Sequence, residues 1–567
     1  MPTLRLIFGA ALVAGAAAPL IAAPAEGSHR HANDGAETYV VAFDRGPDAA
    51  RRAVDASGGT VLDVNEDLGV ALVRAVDDGF RHQLGQLGGI EGVVLNHSVG
   101  LLRKGMPHRY AEERPRSAHA PASAGRSSEA AAAPAAPAAR GSDEPLGGRQ
   151  WDLAMLGVPE AHQRATGAGV DVGVIDTGID GAHPDIAPNF DAGRSRNFTT
   201  DIPAVDGPCE VPSCVDPADV DGKGHGTHVA GTIAAARNGL GISGIAPDAR
   251  LVNLRAGQDS GYFFLYETLN ALTAAGDLHL DVVNMSFYTD PWLYNCDSPD
   301  DYIEGKPSAD DLAQQRLTRK LVVNGLRYAH DRGVTLVAAA GNEHADLAAP
   351  TRFDPFSPGY PPGTSAGRLV TKDCVDLPNE GPSVISVGSV GPSGTKADYS
   401  NYGFGVIDVT APGGWLRDRV GTPGYQQPAN MILSTYPQAA AIEEGLADAD
   451  GQPTDGFSIR QCNALGVCGF YSYLQGTSMA APHVAGVAAL IVQRFGQGSA
   501  LQGYSLAPDQ VAAILQRTAR DHACPANGVV TYRNVGRPAS WNAVCQGDAA
   551  NNGIYGAGIV DAAAATR

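Results

Sequence analysis

Three short segments of this chain hold side chains that together could attack a carbonyl group. Val174-Ile175-Asp176-Thr177-Gly178-Ile179-Asp180 ends an apolar, strand-like run at Asp176. Gly224-His225-Gly226-Thr227-His228-Val229-Ala230-Gly231-Thr232 sets His225 between glycines, which let the backbone turn tightly and leave the imidazole open to a cleft where a helical pattern begins. Gly476-Thr477-Ser478-Met479-Ala480-Ala481-Pro482-His483-Val484-Ala485-Gly486 places Ser478 in a tight turn entering an Ala-rich helix. Free N–H groups and the positive dipole end there favour a developing oxyanion. A serine hydroxyl is a weak nucleophile until a base takes its proton, and an imidazole base needs a carboxylate to fix its tautomer. Each segment also has a plainer reading: a turn carboxylate, a His225/His228 metal pair, a helix-capping serine. The metal pair lacks the Glu-containing i, i+4 pattern of zinc helices. Asp176, His225 and Ser478, in that order on one α/β unit, point to acyl transfer by a Ser-His-Asp triad.

Such residues must be held by a rigid scaffold. Runs such as Val170–Ile175 and Val334–Ala340 are apolar throughout and alternate with helical patterns, which predicts a mainly parallel sheet buried on both faces by helices. That unit spans 148–567. Ahead of it, strand- and helix-like segments between Thr38 and Leu102 follow in the order β-α-β-β-α-β, the ferredoxin-like arrangement, with the second helix expected over 77–87. We bound this small α+β domain at 36–105. Residues 106–147 are rich in Ala, Pro and Ser without apolar periodicity and read as a flexible linker. Arg5, the apolar run Leu6–Ala23 and the small residues around Ala25 read as a secretory signal peptide over 1–25. Eight cysteines suit an oxidising compartment. Of the 105 possible connectivities we expect four bridges between sequence neighbours: 209–214, 296–374, 462–468 and 524–545.

The chain has 567 residues, 44% hydrophobic and 18% charged, with a formal net charge of −20. That is enough apolar matter for a large core, and too acidic a surface to neutralise a phosphate backbone, so nucleic-acid binding is disfavoured. No apolar run follows the first, which leaves no membrane span once the signal is removed.

The motifs VIDTGID, GHGTHVAGT and GTSMAAPHVAG make residues 150–567 resemble the subtilisin-like (subtilase) serine peptidases. The order of the triad is that of subtilisins rather than of α/β-hydrolases, and Ala480 breaks the GxSxG elbow of the latter. The resemblance implies a three-layer subtilisin-like domain and hydrolysis of polypeptide substrates without a catalytic cofactor. Ser478 is then the nucleophile, His225 the base and Asp176 its orienter. Asn342, in Ala339-Ala340-Gly341-Asn342-Glu343, is the side-chain donor of the oxyanion hole. The substrate cleft would run between Ser286, Phe287 and Tyr288 on one side and Ala339, Ala340 and Gly341 on the other. Family members usually carry glycine where this chain has Tyr288, so the specificity pocket is expected to differ.

The same resemblance places a structural calcium at Asp185, in His183-Pro184-Asp185, with Asn238 from the loop 236–242. The acidic stretch 216–221 reads as solvated charge. Stretches longer than in compact members, around 292–310, 345–374 and 414–468, are expected to be surface loops at the cleft rim. Residues 36–105 resemble the inhibitory propeptide of secreted subtilases. The chain is thus expected to be an extracellular, monomeric endopeptidase made as a zymogen that starts near 145–150 once cut. The rival reading is a catalytically inactive, subtilase-shaped binding protein.

Overall fold

A computed structural model describes residues 35–76, 79–97 and 141–567. The expected signal peptide and the linker up to residue 140 lie outside the described residues. The small N-terminal domain contains β1 (Ala36–Phe43), α1 (Pro47–Ala56), β2 (Thr60–Asn65), β3 (Val70–Val76), α2 (Phe80–Leu84) and β4 (Ile90–His97), in the ferredoxin-like order. Its sheet is antiparallel, in the order β2-β3-β1-β4. Helix α2 is shorter than the apolar pattern predicts, because Gly79 opens it in a left-handed conformation and Gly85 ends it.

Alternation along β1 gives the sheet two apolar faces. Tyr39, Val41 and Phe43 join Val54, Phe80 and Leu84 in the domain's own core. Val40 and Ala42, with Val70 and Val94, instead join a cluster that belongs mostly to the large domain, including Leu269, Leu272 and Leu321. Those leucines lie on α4 (Leu265–Asp277) and α5 (Ala309–Asp331), against which the small sheet lies. Polar contacts fix the register of the two domains. Phe264, at the N-cap of α4, supplies no side-chain cap. Asn96 does so from β4: its Oδ1 accepts the Tyr266 N–H at 2.9 Å and its Nδ2 donates to Glu267 at 3.1 Å. Asn65 Nδ2 donates to Asn270 and Thr273 at 2.9 and 2.8 Å. Arg81 pairs with Asp310 and Lys320 with Glu91 at the exposed margin.

The large domain is built on seven parallel strands: β5 (Asp171–Ile175), β6 (Arg196–Asn197), β7 (Arg250–Arg255), β8 (Val282–Met285), β9 (Thr335–Ala339), β10 (Val384–Val390) and β11 (Val409–Pro412). Their order in space is β11-β10-β9-β8-β5-β7-β6. Successive side chains go to opposite layers. Val172, Val174 and Val337 pack with Val229 and Val484 on α3 (His225–Ala234) and α6 (Thr477–Phe495). Ile175, Leu336 and Ala338 pack with Leu269 and Leu321 on α4 and α5. Burial on both faces is why these strands read as unbroken apolar runs.

All four expected disulfides are present, and among the described residues no cysteine is free. The long insertions are more ordered than the loops expected of them. Residues 302–304, 351–354 and 368–371 form one three-stranded sheet. A second contains β12 (Ile432–Thr435), β13 (Ser458–Cys462) and β14 (Cys468–Leu474). The first hides from a hydropathy pattern because its buried centre is partly ionic: Arg368 pairs with Asp354, both almost inaccessible. Residues 141–147, which composition places in the linker, lie against the large domain. Leu146 is buried beside Ile242, Met431 and Tyr471, and its N–H donates to the Gly241 carbonyl at 2.7 Å. Among the described residues, no helix is long and apolar enough to cross a membrane.

Candidate active site

The carboxyl ends of β5, β8 and β9 meet the N-termini of α3 and α6, the edge of a parallel sheet where ligands bind. Asp176 follows β5, His225 is the first residue of α3 and Ser478 the second of α6. The His225 Nδ1 lies 2.7 Å from Asp176 Oδ1, with both side chains buried. The Asp176 carboxylate also accepts the Thr177 N–H at 2.7 Å, which fixes its rotation. Ser478 is tied to the end of β8 in both directions. Ser286 Oγ donates to the Ser478 carbonyl at 3.0 Å, and Ser478 Oγ lies 3.5 Å from the Ser286 carbonyl.

Asn342 is oriented by its neighbour in the serine turn. Its Oδ1 accepts both the N–H and the hydroxyl of Thr477, each at 2.9 Å, so its NH2 is the opposite end of the amide. Gly341, at φ +97°, brings this segment in; a β-carbon there would fall 2.4 Å from the Asn401 amide nitrogen.

A pocket beside Ser478 is lined by Ser286, Phe287, Tyr288, Ala339, Gly341 and Asn342. Ala340 is not on its wall. It faces the opposite way along the chain, is fully buried, and its N–H donates to the Val387 carbonyl at 3.1 Å. Four further lining residues, Leu293, Glu343, Asp376 and Thr477, were not among the expected site residues. Glu343 and Thr477 lie inside recognised motifs, but nothing local marked Asp376, which arrives from an insertion.

Asp221 lies in the acidic stretch expected to be solvated charge, and the structure corrects that reading. It is 4% exposed, not solvated, and accepts hydrogen bonds from Gly224 N, Thr227 N and Thr227 Oγ1 at 2.8, 2.8 and 2.6 Å. A carboxylate bonded to the first N–H groups of α3 stabilises the helix that carries His225. Asp216 is equally buried, paired at 2.8 Å with Arg255. With Asp201, Glu210 and Asp259 it forms an acidic cluster that could hold a metal ion, although Arg255 already neutralises part of that charge.

The residues expected to bind calcium do meet, Asn238 Nδ2 lying 3.3 Å from Asp185 Oδ1. What faces Asp185 is a set of hydrogen-bond donors, however: Ile242 N at 3.1 Å and the Tyr471 hydroxyl at 2.9 Å on Oδ2. That set suits a hydrogen-bonded carboxyl and does not fit a hard cation, which takes oxygen lone pairs. Burial pushes the Asp185 carboxyl up to about 7 from 3.8. The folded protein therefore keeps a proton that the unfolded chain releases. Stability is full below the unfolded value and is lost as pH rises towards 7, by up to ~4 kcal/mol. Asp185→Asn, which mimics the protonated acid, should flatten this slope in urea unfolding between pH 4 and 8. If millimolar calcium raises wild-type stability at pH 8 and leaves the variant unmoved, the carboxylate binds the cation after all.

Comparison with known proteins bears directly on this constellation. The model of the Subtilase family matches residues 167–558. Subtilisin Savinase of Lederbergia lenta is 30% identical over 346 residues, covering 61% of this chain and 84% of that protein. The M-protease of Shouchella clausii is 28% identical over 419 residues, covering 74% of this chain and 70% of that protein. Among solved structures, the epidermin leader peptide processing serine protease of Staphylococcus aureus superposes with a TM-score of 0.59 at 20% identity. That match covers 94% of this chain and 98% of the other and shares the fold. With its parallel sheet, the three motifs and a family match over most of its length, this chain belongs to the subtilase family of serine proteases.

Proposed function

We propose that the protein is a secreted endopeptidase that hydrolyses peptide bonds through an Asp176-His225-Ser478 triad and an acyl-enzyme, and that it is made as a self-processing zymogen. The observation that carries the reading is the buried 2.7 Å contact between His225 Nδ1 and Asp176. It leaves the other imidazole nitrogen as the one to take the Ser478 proton. Ser478 Oγ attacks the scissile carbonyl while His225 accepts its proton; His225 then gives that proton to the leaving amine. Asp176 holds the tautomer and stabilises the imidazolium. The Asn342 NH2 and the Ser478 N–H receive the carbonyl oxygen as it becomes an oxyanion. Water repeats the sequence to release the acid. An extended substrate would lie along 286–288 by backbone hydrogen bonds. No step uses a metal; a hard cation would serve structure, at the Asp201/Asp216 cluster.

The small domain's docking on α4 and α5 supports the assignment of 36–105 as an intramolecular inhibitor and folding aid. The apolar segment 6–23 supports export. The enzyme would work as an extracellular monomer on polypeptides. Covalent labelling of Ser478 by a fluorophosphonate tests the core of this reading, since an inactive binding protein of the same shape would not label. Asn342→Ala should lower kcat about 10²–10³-fold with KM little changed, as is known for the corresponding loss in a subtilisin. A KM effect alone would remove Asn342 from the oxyanion hole.

A further inference from the structure

We infer that the pocket beside Ser478 admits only a small side chain, so that the enzyme cuts after alanine, glycine or serine; this rests on the triad reading above. Ser478 and Asn342 both line the pocket, so the residue whose carbonyl is attacked places its side chain there. The space between the walls is about 30 Å³. A water needs roughly 10–15 Å³ of such space, whereas an apolar cavity of about 150 Å³ takes a benzene ring. A methyl or hydroxymethyl group fits. The phenyl ring of phenylalanine does not, nor do the longer side chains of leucine and lysine. The chain narrows this slot itself, with Tyr288 where family members usually carry glycine and with Leu293 from the insertion that follows.

The walls have nowhere to retreat. Phe287 lies flat on Phe263, with ring centroids 4.2 Å apart. The Phe263 N–H donates to Asp290 Oδ2 and the Asp290 N–H to the Phe263 carbonyl, both at 2.8 Å. Leu293 is 1% exposed in a cluster with Tyr294, Tyr302 and Leu347, against which Tyr288 also packs. The Leu293 N–H donates to Ser357 Oγ at 2.8 Å, and Thr289 N donates to the Leu377 carbonyl at 2.8 Å. The Cys296–Cys374 disulfide closes the same insertion. On the other side Ala339 belongs to the central sheet, and the Gly341 N–H donates to Thr477 Oγ1 at 3.0 Å. Close-packed surroundings of this kind transmit strain rather than absorb it, so a larger guest is excluded by the fold itself. The two carboxylates in the lining call for no charged guest. Glu343 Oε2 accepts the Asn401 amide at 2.7 Å, and Asp376 and Arg352 act on each other. The linker 106–147 is rich in alanine and serine, so peptide bonds of the kind this pocket accepts lie within the chain's own sequence.

The test uses exported wild-type enzyme, counted by fluorophosphonate labelling. Its substrates are succinyl-Ala-Ala-Pro-X p-nitroanilides with X as Ala, Leu, Phe or Lys. A single methylene in a fixed pocket is worth roughly 10–200-fold, so the expected kcat/KM ratio of Ala to Phe is roughly 100 or more. Tyr288→Gly opens the wall and should lower that ratio at least tenfold, and Leu293→Ala should lower it less. An enzyme that labels but prefers Phe, Leu or Lys, or whose ratio neither exported variant moves, overturns the pocket assignment and leaves the triad intact. A protein that does not label overturns the triad reading and this inference with it. If neither variant is exported, the wild-type profile decides.

Discussion

Replacing Ser478 with alanine is expected to stop peptide hydrolysis and maturation of the precursor together. Removing the nucleophile of a subtilisin triad is known to cost about 10⁶-fold in kcat, and the residual ~10³–10⁴ over water comes from the oxyanion hole and binding. The change removes one hydroxyl, one of whose contacts, to the Ser286 carbonyl at 3.5 Å, is at the limit of a hydrogen bond. The Ser286 hydroxyl still reaches the Ser478 carbonyl, so folding should be altered by less than ~1 kcal/mol. A folded, inert protein is therefore the expected product. Intact masses of exported wild type and variant separate the possibilities. Wild type should have lost the residues ahead of the large domain, while the variant keeps everything after the signal. Identical trimming of both would assign maturation to another protease, and the claim of self-processing would fall. If neither is trimmed, the small domain is a permanent part of the enzyme.

The three family motifs were legible because what they encode is local. A nucleophile at a helix entrance or a histidine between glycines needs a particular backbone turn, and that turn leaves residue types at fixed spacing. The parallel strands were legible for a related reason: burial on both faces admits only apolar residues, as in Val334–Ala340. What escaped depends on contacts distant in the chain. Asp376 reaches the pocket beside Ser478 from an insertion closed by the Cys296–Cys374 bridge, and no local pattern encodes that return. Asp221 lies in a run of charge that looks solvated, yet the amides of Gly224 and Thr227 bury it. Arg368 and Asp354 break the apolar alternation of their small sheet while satisfying each other inside it. Ala340 lies between two lining residues, Ala339 and Gly341, but is itself fully buried away from the pocket. Charge shows burial poorly, since pairing decides it.

Gly226→Ala sets two influences of opposite sign against each other and is expected to damage stability and catalysis alike. Gly226 lies inside α3, where alanine is intrinsically favoured over glycine by about 1 kcal/mol. Propensity alone thus predicts a more stable protein. The geometry predicts the reverse, because a β-carbon at 226 would stand 2.1 Å from the Gly178 carbonyl oxygen and 3.0 Å from Asp176 Cβ. The nearest atom is backbone in the turn after β5, with no flexible chain end to swing aside, so the helix must move. Overpacking of this kind typically costs ~1–3 kcal/mol, enough to outweigh the propensity gain. The displacement falls on the residue beside His225, whose Nδ1 is bonded to Asp176 at 2.7 Å. It also strains the 3.1 Å bond from the Gly226 N–H to Thr177 Oγ1. Misplacing a catalytic group by ~1 Å can cost about 10²-fold, so kcat/KM should fall by at least that factor and Tm should fall as well. Thermal unfolding and the rate of fluorophosphonate labelling, measured on the same preparation, read the two effects separately. A variant as active as wild type with a raised Tm would mean that propensity prevails and that α3 does not approach the β5 turn this closely.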